Sequence, residues 1–166
     1  MCDIKKCNLS SHIKNKCILH SDDKNKNIKE FWEKINSRID EVNKSYTKNP
    51  ADVKDFNSEY NYEVYKYTFN EVRFPDSTSK SFHNLNKELN IYFTNCVFTG
   101  KIDFNLLSNA KAVSFNNCTF NNDIVFCNQK FQDSFLFEKC TVNSNIKFQN
   151  IVFLGITSFI GTTFNK

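Results

Sequence analysis

Four residues near the start of the chain have the types and spacing to do chemistry: Cys2, Cys7, Cys17 and His20, reading C-x4-C-x9-C-x2-H. Zinc takes thiolate and imidazole tetrahedrally, and a segment this short cannot build an apolar core of its own, so metal binding would supply its folding energy. Cys17-Ile18-Leu19-His20 places two ligands on one tight turn, with Cys2 and Cys7 as the opposing pair. Four protein ligands leave no position for water, so the expected role is structural rather than catalytic. His12 is the alternative to His20, and incidental buried or free thiols are the competing reading.

The rest of the chain is poor in reactive groupings. Its only glycines are Gly100, Gly155 and Gly161, too few for phosphate-cradling loops. Cys96, Cys118 and Cys140 are spaced by 22 with no histidine in their repeats, which reads as small core filler because thiols in an apolar interior are inert. His83 and Glu88 are the one acid–base pair in the Ser/Lys/Asn-rich stretch from Pro75 to Asn90, with no nucleophile beside them, so that stretch reads as a solvated loop or insertion. Tyr60, Tyr62, Tyr65 and Tyr67 with Lys66 have the makings of a base-stacking platform, but their alternation reads better as a strand leading into the repeats. The expectation is a protein that is not an enzyme.

The elements that must position these residues follow from the phenylalanines. Phe93, Phe104, Phe115, Phe126, Phe137, Phe148 and Phe159 recur every eleven residues, and a series offset by five reads Phe98, Asn109, Phe120, Phe131, Val142, Phe153 and Phe164. Two residues before most of them stands another apolar or small residue, as in Ile91, Cys96, Ile102, Val113, Cys118, Ile124, Phe135, Cys140 and Ile146. Residues two apart share one face of an extended segment, so each half-repeat predicts a short strand with a buried face, followed by a polar turn. A fixed short period means a solenoid, in which each repeat buries its apolar face only against its neighbours. The recurrence of Cys96, Cys118 and Cys140 sets a coil of 22 residues, with Leu107, Gln129 and Ile151 as the intervening set.

Cys96-Val97-Phe98, Val113-Ser114-Phe115, Cys118-Thr119-Phe120 and Thr162-Thr163-Phe164 resemble the pentapeptide-repeat proteins, and Tyr67-Thr68-Phe69 and Val72-Arg73-Phe74 extend the likeness weakly towards the N-terminus. The resemblance implies a right-handed quadrilateral β-helix; the alternation of five and six residues departs from the family pattern and implies a looser coil with two bulged corners. Cysteine-rich N-termini ending in Cys-x-x-His are also similar to those that precede some bacterial pentapeptide arrays. Some members of the family mimic DNA and protect topoisomerases, a role that requires a strongly acidic rod.

Ile28, Phe31, Trp32, Ile35, Ile39 and Val42 follow spacings of three and four, which predicts an amphipathic helix over 28–44 with Asn27 as N-cap and Glu30 three residues on. Its stripe needs a partner, and the open end of the first coil is one. The organisation expected is a zinc-binding module at 1–24, a capping helix and connector at 25–60, and the β-helix at 61–166, regular from 91. Charge excludes little: the net is +4 over the chain, and the repeats after position 90 carry six lysines against four acids, too weak a field for nucleic acid or membrane. With no apolar run near the ~18 residues of a membrane span, and no secretory leader at Met1-Cys2-Asp3, a reduced cytoplasmic protein is expected. The function expected is a non-catalytic scaffold or protein–protein interaction protein, with a topoisomerase-protecting DNA mimic (disfavoured by charge) and a zinc-dependent nucleic-acid-binding module as alternatives. A homodimer through the C-terminal coil, or a chain that continues past Lys166, is expected from the exposed last repeat.

Overall fold

The computed structural model describes residues 16–48, 66–86, 89–107 and 110–166. From Lys66 onward the chain winds into a parallel β-solenoid of about four coils, with strands numbered in chain order. One wall stacks β1 (Lys66–Asn70), β3 (Asn90–Thr94), β5 (Val113–Asn116), β9 (Phe135–Glu138) and β13 (Thr157–Ser158). The next stacks β2 (Arg73–Phe74), β4 (Val97–Phe98), β6 (Thr119–Phe120), β10 (Thr141–Val142) and β14 (Thr163–Phe164). A third wall holds β7 (Ile124–Cys127) and β11 (Ile146–Gln149), and a fourth β8 (Lys130–Phe131) and β12 (Val152–Phe153).

Register is set by the phenylalanines. Phe93 pairs with Phe115 and Phe115 with Phe137, an advance of 22 residues per coil. Because the pairing is parallel and in register, identical rings fall on one another: Phe98 and Phe120 stack at 4.5 Å and 4°, Phe93 and Phe115 at 4.8 Å and 9°. The spacing equals the strand separation of a sheet, so the backbone ladder and the ring stack reinforce each other.

Turning the corners requires left-handed backbone, and asparagine supplies it. Asn95 and Asn117, and on the opposite side Asn128 and Asn150, all sit at φ of 53–54°, a region that Asn tolerates better than other side-chain-bearing residues. Their amides form ladders between coils: Asn117 Nδ2 donates to Asn95 Oδ1 at 2.6 Å and Asn150 Nδ2 to Asn128 Oδ1 at 2.9 Å. Asparagine richness here is therefore structural.

Three expectations are corrected. The half-repeat at Phe104 is not a strand but a one-turn 3-10 helix, Phe104–Leu107. Asp103 causes it: its carboxylate accepts from Asn105 N at 3.0 Å and its carbonyl from Leu106 N at 3.2 Å, local bonds that compete with the ladder. Pro75 to Asn90 is not an insertion, because Phe69 pairs with Phe93 and Phe74 with Phe98, an advance of 24. It completes the first coil with two extra residues, and Phe82 within it is buried among Trp32, Phe69, Phe74 and Phe93. Of the helical stripe, Ile28 is exposed, and the helix runs further than expected, Ile28–Lys48.

That helix, α1, starts where Asn27 Oδ1 accepts from Glu30 N at 3.1 Å. Phe31, Trp32, Ile35 and Ile39 are buried, and the Phe31 and Trp32 rings rest on Phe74 in the first coil. Polar clamps fix its position: Trp32 Nε1 donates to Asp76 O at 2.8 Å and Tyr67 Oη bonds Asn43 Oδ1 at 2.5 Å. An apolar face that a 3.6-residue period creates is thus spent on the end of a period-22 rod.

Candidate functional site

The segment before α1 lies along the edge of the second wall. Arg73 N of β2 donates to Leu19 O at 2.8 Å, so the turn at 17–20 adds a backbone rung where the first coil would leave the sheet open. His20 N and Ser21 N both donate to Cys17 O at 3.0 Å, closing the turn. It brings Cys17 Sγ within 3.1 Å of His20 Nδ1, both side chains buried. Two ligands of one tetrahedral zinc, with bonds of about 2.3 Å to sulfur and about 2.0 Å to nitrogen, stand ~3.5 Å apart. The pair therefore fits half of such a site with a shift of a few tenths of an ångström. Cys2, Cys7 and His12 lie outside the described residues, and among the described residues no three ligating side chains come together.

The electrostatics around the turn suit a neutral imidazole. Burial, and then the positive charge of Arg38, hold the His20 pKa below its ordinary value, and a neutral ring is the form that ligates metal. Lys26, which no sequence pattern singles out, clamps the turn to the rod. Its Nζ donates to Ser21 O at 2.7 Å, Arg73 O at 3.0 Å and Ile18 O at 3.1 Å. Burial lowers its pKa to about 8, against the attraction of Asp22 and Asp23. Asp22 in turn pairs with Arg73 Nε at 3.1 Å. A lysine five residues before the first core aromatic of a helix carries no signal that distinguishes it from a solvated one.

The cysteine column lies in the core of the rod. Cys96, Cys118 and Cys140 are buried, and each thiol leans on carbonyls, as Cys118 Sγ does on Phe93 O and Asn116 O, both at 3.4 Å. Contact with the Cys118 thiol, and then burial, push the Cys140 thiol well up, so it stays protonated and unreactive. In the next coil Thr162 takes the column over, its hydroxyl donating to Phe137 O at 2.6 Å. Gln129, buried in the column between Leu107 and Ile151, repairs the 3-10 turn by donating to Phe104 O at 3.0 Å and Asn105 Oδ1 at 2.9 Å. Tyr67 faces inward and is buried, not part of an exposed stacking platform; Tyr60, Tyr62 and Tyr65 lie outside the described residues. His83 is exposed with its main-chain N–H on Asn36 Oδ1, and Glu88 lies outside the described residues.

Fold and site together define a helix-capped parallel β-solenoid with a buried Cys–His turn sealing its first edge. Comparison with protein-family models, curated proteins and solved structures gives no match to this chain. No helix among the described residues is long and apolar enough to cross a membrane.

Proposed function

We propose that the chain is a non-catalytic scaffold of the pentapeptide-repeat type, whose rod binds another protein and whose N-terminal Cys2, Cys7, Cys17, His20 module holds a structural zinc. The observation that carries the reading is the second wall. Its outward residues Val97, Thr119, Thr141 and Thr163 stand in one column, and beside them Asn121, Asn143 and Asn165 form a side-chain ladder with bonds of 2.9 and 2.6 Å. These two columns carry no charged side chain and are tied together by their own hydrogen bonds, which lowers the ordering cost of association. The cysteine module serves that rod by closing its edge, and zinc supplies the energy a short segment lacks.

Charge favours this over the alternatives. The six lysines and four acids after position 90 make neither the acidic surface of a DNA mimic nor a basic groove. A photo-crosslinker placed at Thr141 should capture one discrete partner in the native cell, and Thr119→Arg/Thr141→Arg should abolish the adduct. Equal capture from a probe at Ser114 on the neighbouring wall overturns the choice of face. Strong, salt-dependent binding of the whole chain to DNA or RNA would favour the nucleic-acid reading instead.

A further inference from the structure

β1 opens the rod, so one row of its main-chain groups faces no preceding coil. It pairs with β3 from Lys66 to Asn70, and Glu71 N just after it donates to Thr94 O at 2.9 Å. Successive residues of a strand turn their N–H and C=O to opposite sides, so Tyr67, Phe69 and Glu71 address β3 while Asn70 addresses the open edge. The turn at 17–20 lies along that edge. Its His20 imidazole makes a hydrogen bond to the main chain of Asn70, one that favours the protonated nitrogen, so the acceptor is the Asn70 carbonyl.

The two ring nitrogens therefore have different tasks. His20 is only 3% exposed, so both must find partners inside the protein. Nδ1 stands 3.1 Å from Cys17 Sγ, which leaves Nε2 for the Asn70 carbonyl. A neutral imidazole carries one proton; held on Nε2 by a carbonyl acceptor, it turns the Nδ1 lone pair to the thiol. Main-chain bonds fix both ends of this arrangement. His20 N and Ser21 N close the turn on Cys17 O, Leu19 O takes Arg73 N at 2.8 Å, and Lys26 Nζ joins Ile18 O to Arg73 O. Asn70 and Arg73 stand on either side of the left-handed corner at Glu71, φ 57°. Neither is in place until the first coil is wound.

Resting on the zinc reading above, we propose that His20 ligates the metal through Nδ1, with the Asn70 carbonyl as its positioning group, so that the first corner of the rod is part of the metal site. A metal-bound histidine gives its other N–H to a carbonyl or carboxylate, which fixes the tautomer and raises the basicity of the ligand. Here the acceptor comes from the solenoid and not from the cysteine-bearing segment. Metal affinity thus depends on a wound first coil.

The test is NMR of the full chain with isotope-labelled histidine nitrogens and a magnetically active cadmium isotope in place of zinc. His20 Nδ1 should couple directly to cadmium, and Nε2 should carry a proton that exchanges slowly with water. An ester in place of the peptide bond between Asn70 and Glu71 weakens the Asn70 carbonyl as an acceptor, so it should speed that exchange and lower zinc affinity about tenfold. An ester between Asn116 and Asn117 removes the rung from Asn117 N to Glu138 O, in the same column as the rung from Glu71 N, and should leave zinc affinity at the parent's value. Coupling of cadmium to Nε2, or an ester at Glu71 that changes neither affinity nor exchange, overturns the proposal. Metal bound with no coupling to either His20 nitrogen overturns it too, and leaves the zinc reading to Cys2, Cys7, Cys17 and His12. A chain that takes up neither zinc nor cadmium ends the zinc reading and this one with it.

Discussion

The indole N–H of Trp32 donates to the carbonyl of Asp76 at 2.8 Å, joining the capping helix to the chain 44 residues on, just after β2. The ring itself closes the first coil, edge-on to Phe31 and Phe82 and tilted over Phe74. One side chain thus supplies both apolar cover and a clamp. Trp32→Ala should cost about 3–5 kcal/mol in urea unfolding. Trp32→Phe, which keeps a ring and loses the hydrogen bond, should cost about 1–2 kcal/mol. Equal losses would mean that the clamp, not the cover, holds the helix down.

Deeper in the rod, Phe126 is fully buried and stacks on Phe148 at 5.3 Å. Phe126→Ala should cost on the order of 3–5 kcal/mol. Asn122, whose amide reaches Thr99 O at 2.6 Å from an exposed turn, should cost about 1 kcal/mol or less when changed to alanine. Denaturant titrations of the two variants with unchanged m-values make the comparison.

Lys139 occupies a left-handed corner at φ 52°, in the column where Glu71, Asn95, Asn117 and Gly161 stand in the other coils. Lysine pays a steric cost there that asparagine avoids in part. Lys139→Asn should therefore stabilise the protein by about 0.5–1 kcal/mol, read as a rise in melting temperature. Lys130→Asn, in a strand, should not.

Metal analysis tests the cysteine module. Protein from reducing cells should carry about one zinc per chain, and Cys17→Ser should lose it while Cys118→Ser keeps it. A metal-free parent with Cys2, Cys7 and Cys17 all open to thiol reagents would end the zinc proposal.

Lys26 gives a pH dependence with a definite sign. Burial depresses its pKa to about 8 from an ordinary 10.5, so between those values the unfolded chain binds more protons than the folded one. Stability from this group then rises with pH across about 8 to 10.5. The parent should gain on Lys26→Gln over that window in denaturant midpoints. The opposite slope would show that the three carbonyl bonds, which need the ammonium's three donors, outweigh its burial.

Much of the rod was legible from spacing alone. A solenoid builds its core from the same inward positions of successive repeats, so the eleven-residue recurrence of Phe93 to Phe159 carries both the period and the inward face. The capping helix was legible for the same kind of reason, since Phe31, Trp32, Ile35 and Ile39 mark one stripe. What misled was local chemistry. Asp103 bends its half-repeat into a 3-10 turn, and Pro75 to Asn90 hides a coil whose turns lack the repeat residues. Phe82, outside the period, gave no sign of joining the core.

By itself the sequence determined the coil length, the strand register and the presence of a metal-type donor set, because each depends on residue type at fixed separation along the chain. Only the tertiary structure decided what closes the first edge and why Gln129 and Lys26 are buried. Those depend on which carbonyls a neighbouring coil leaves unpaired. Donors such as Lys26 Nζ find acceptors at Ile18, Ser21 and Arg73 that no linear pattern brings together.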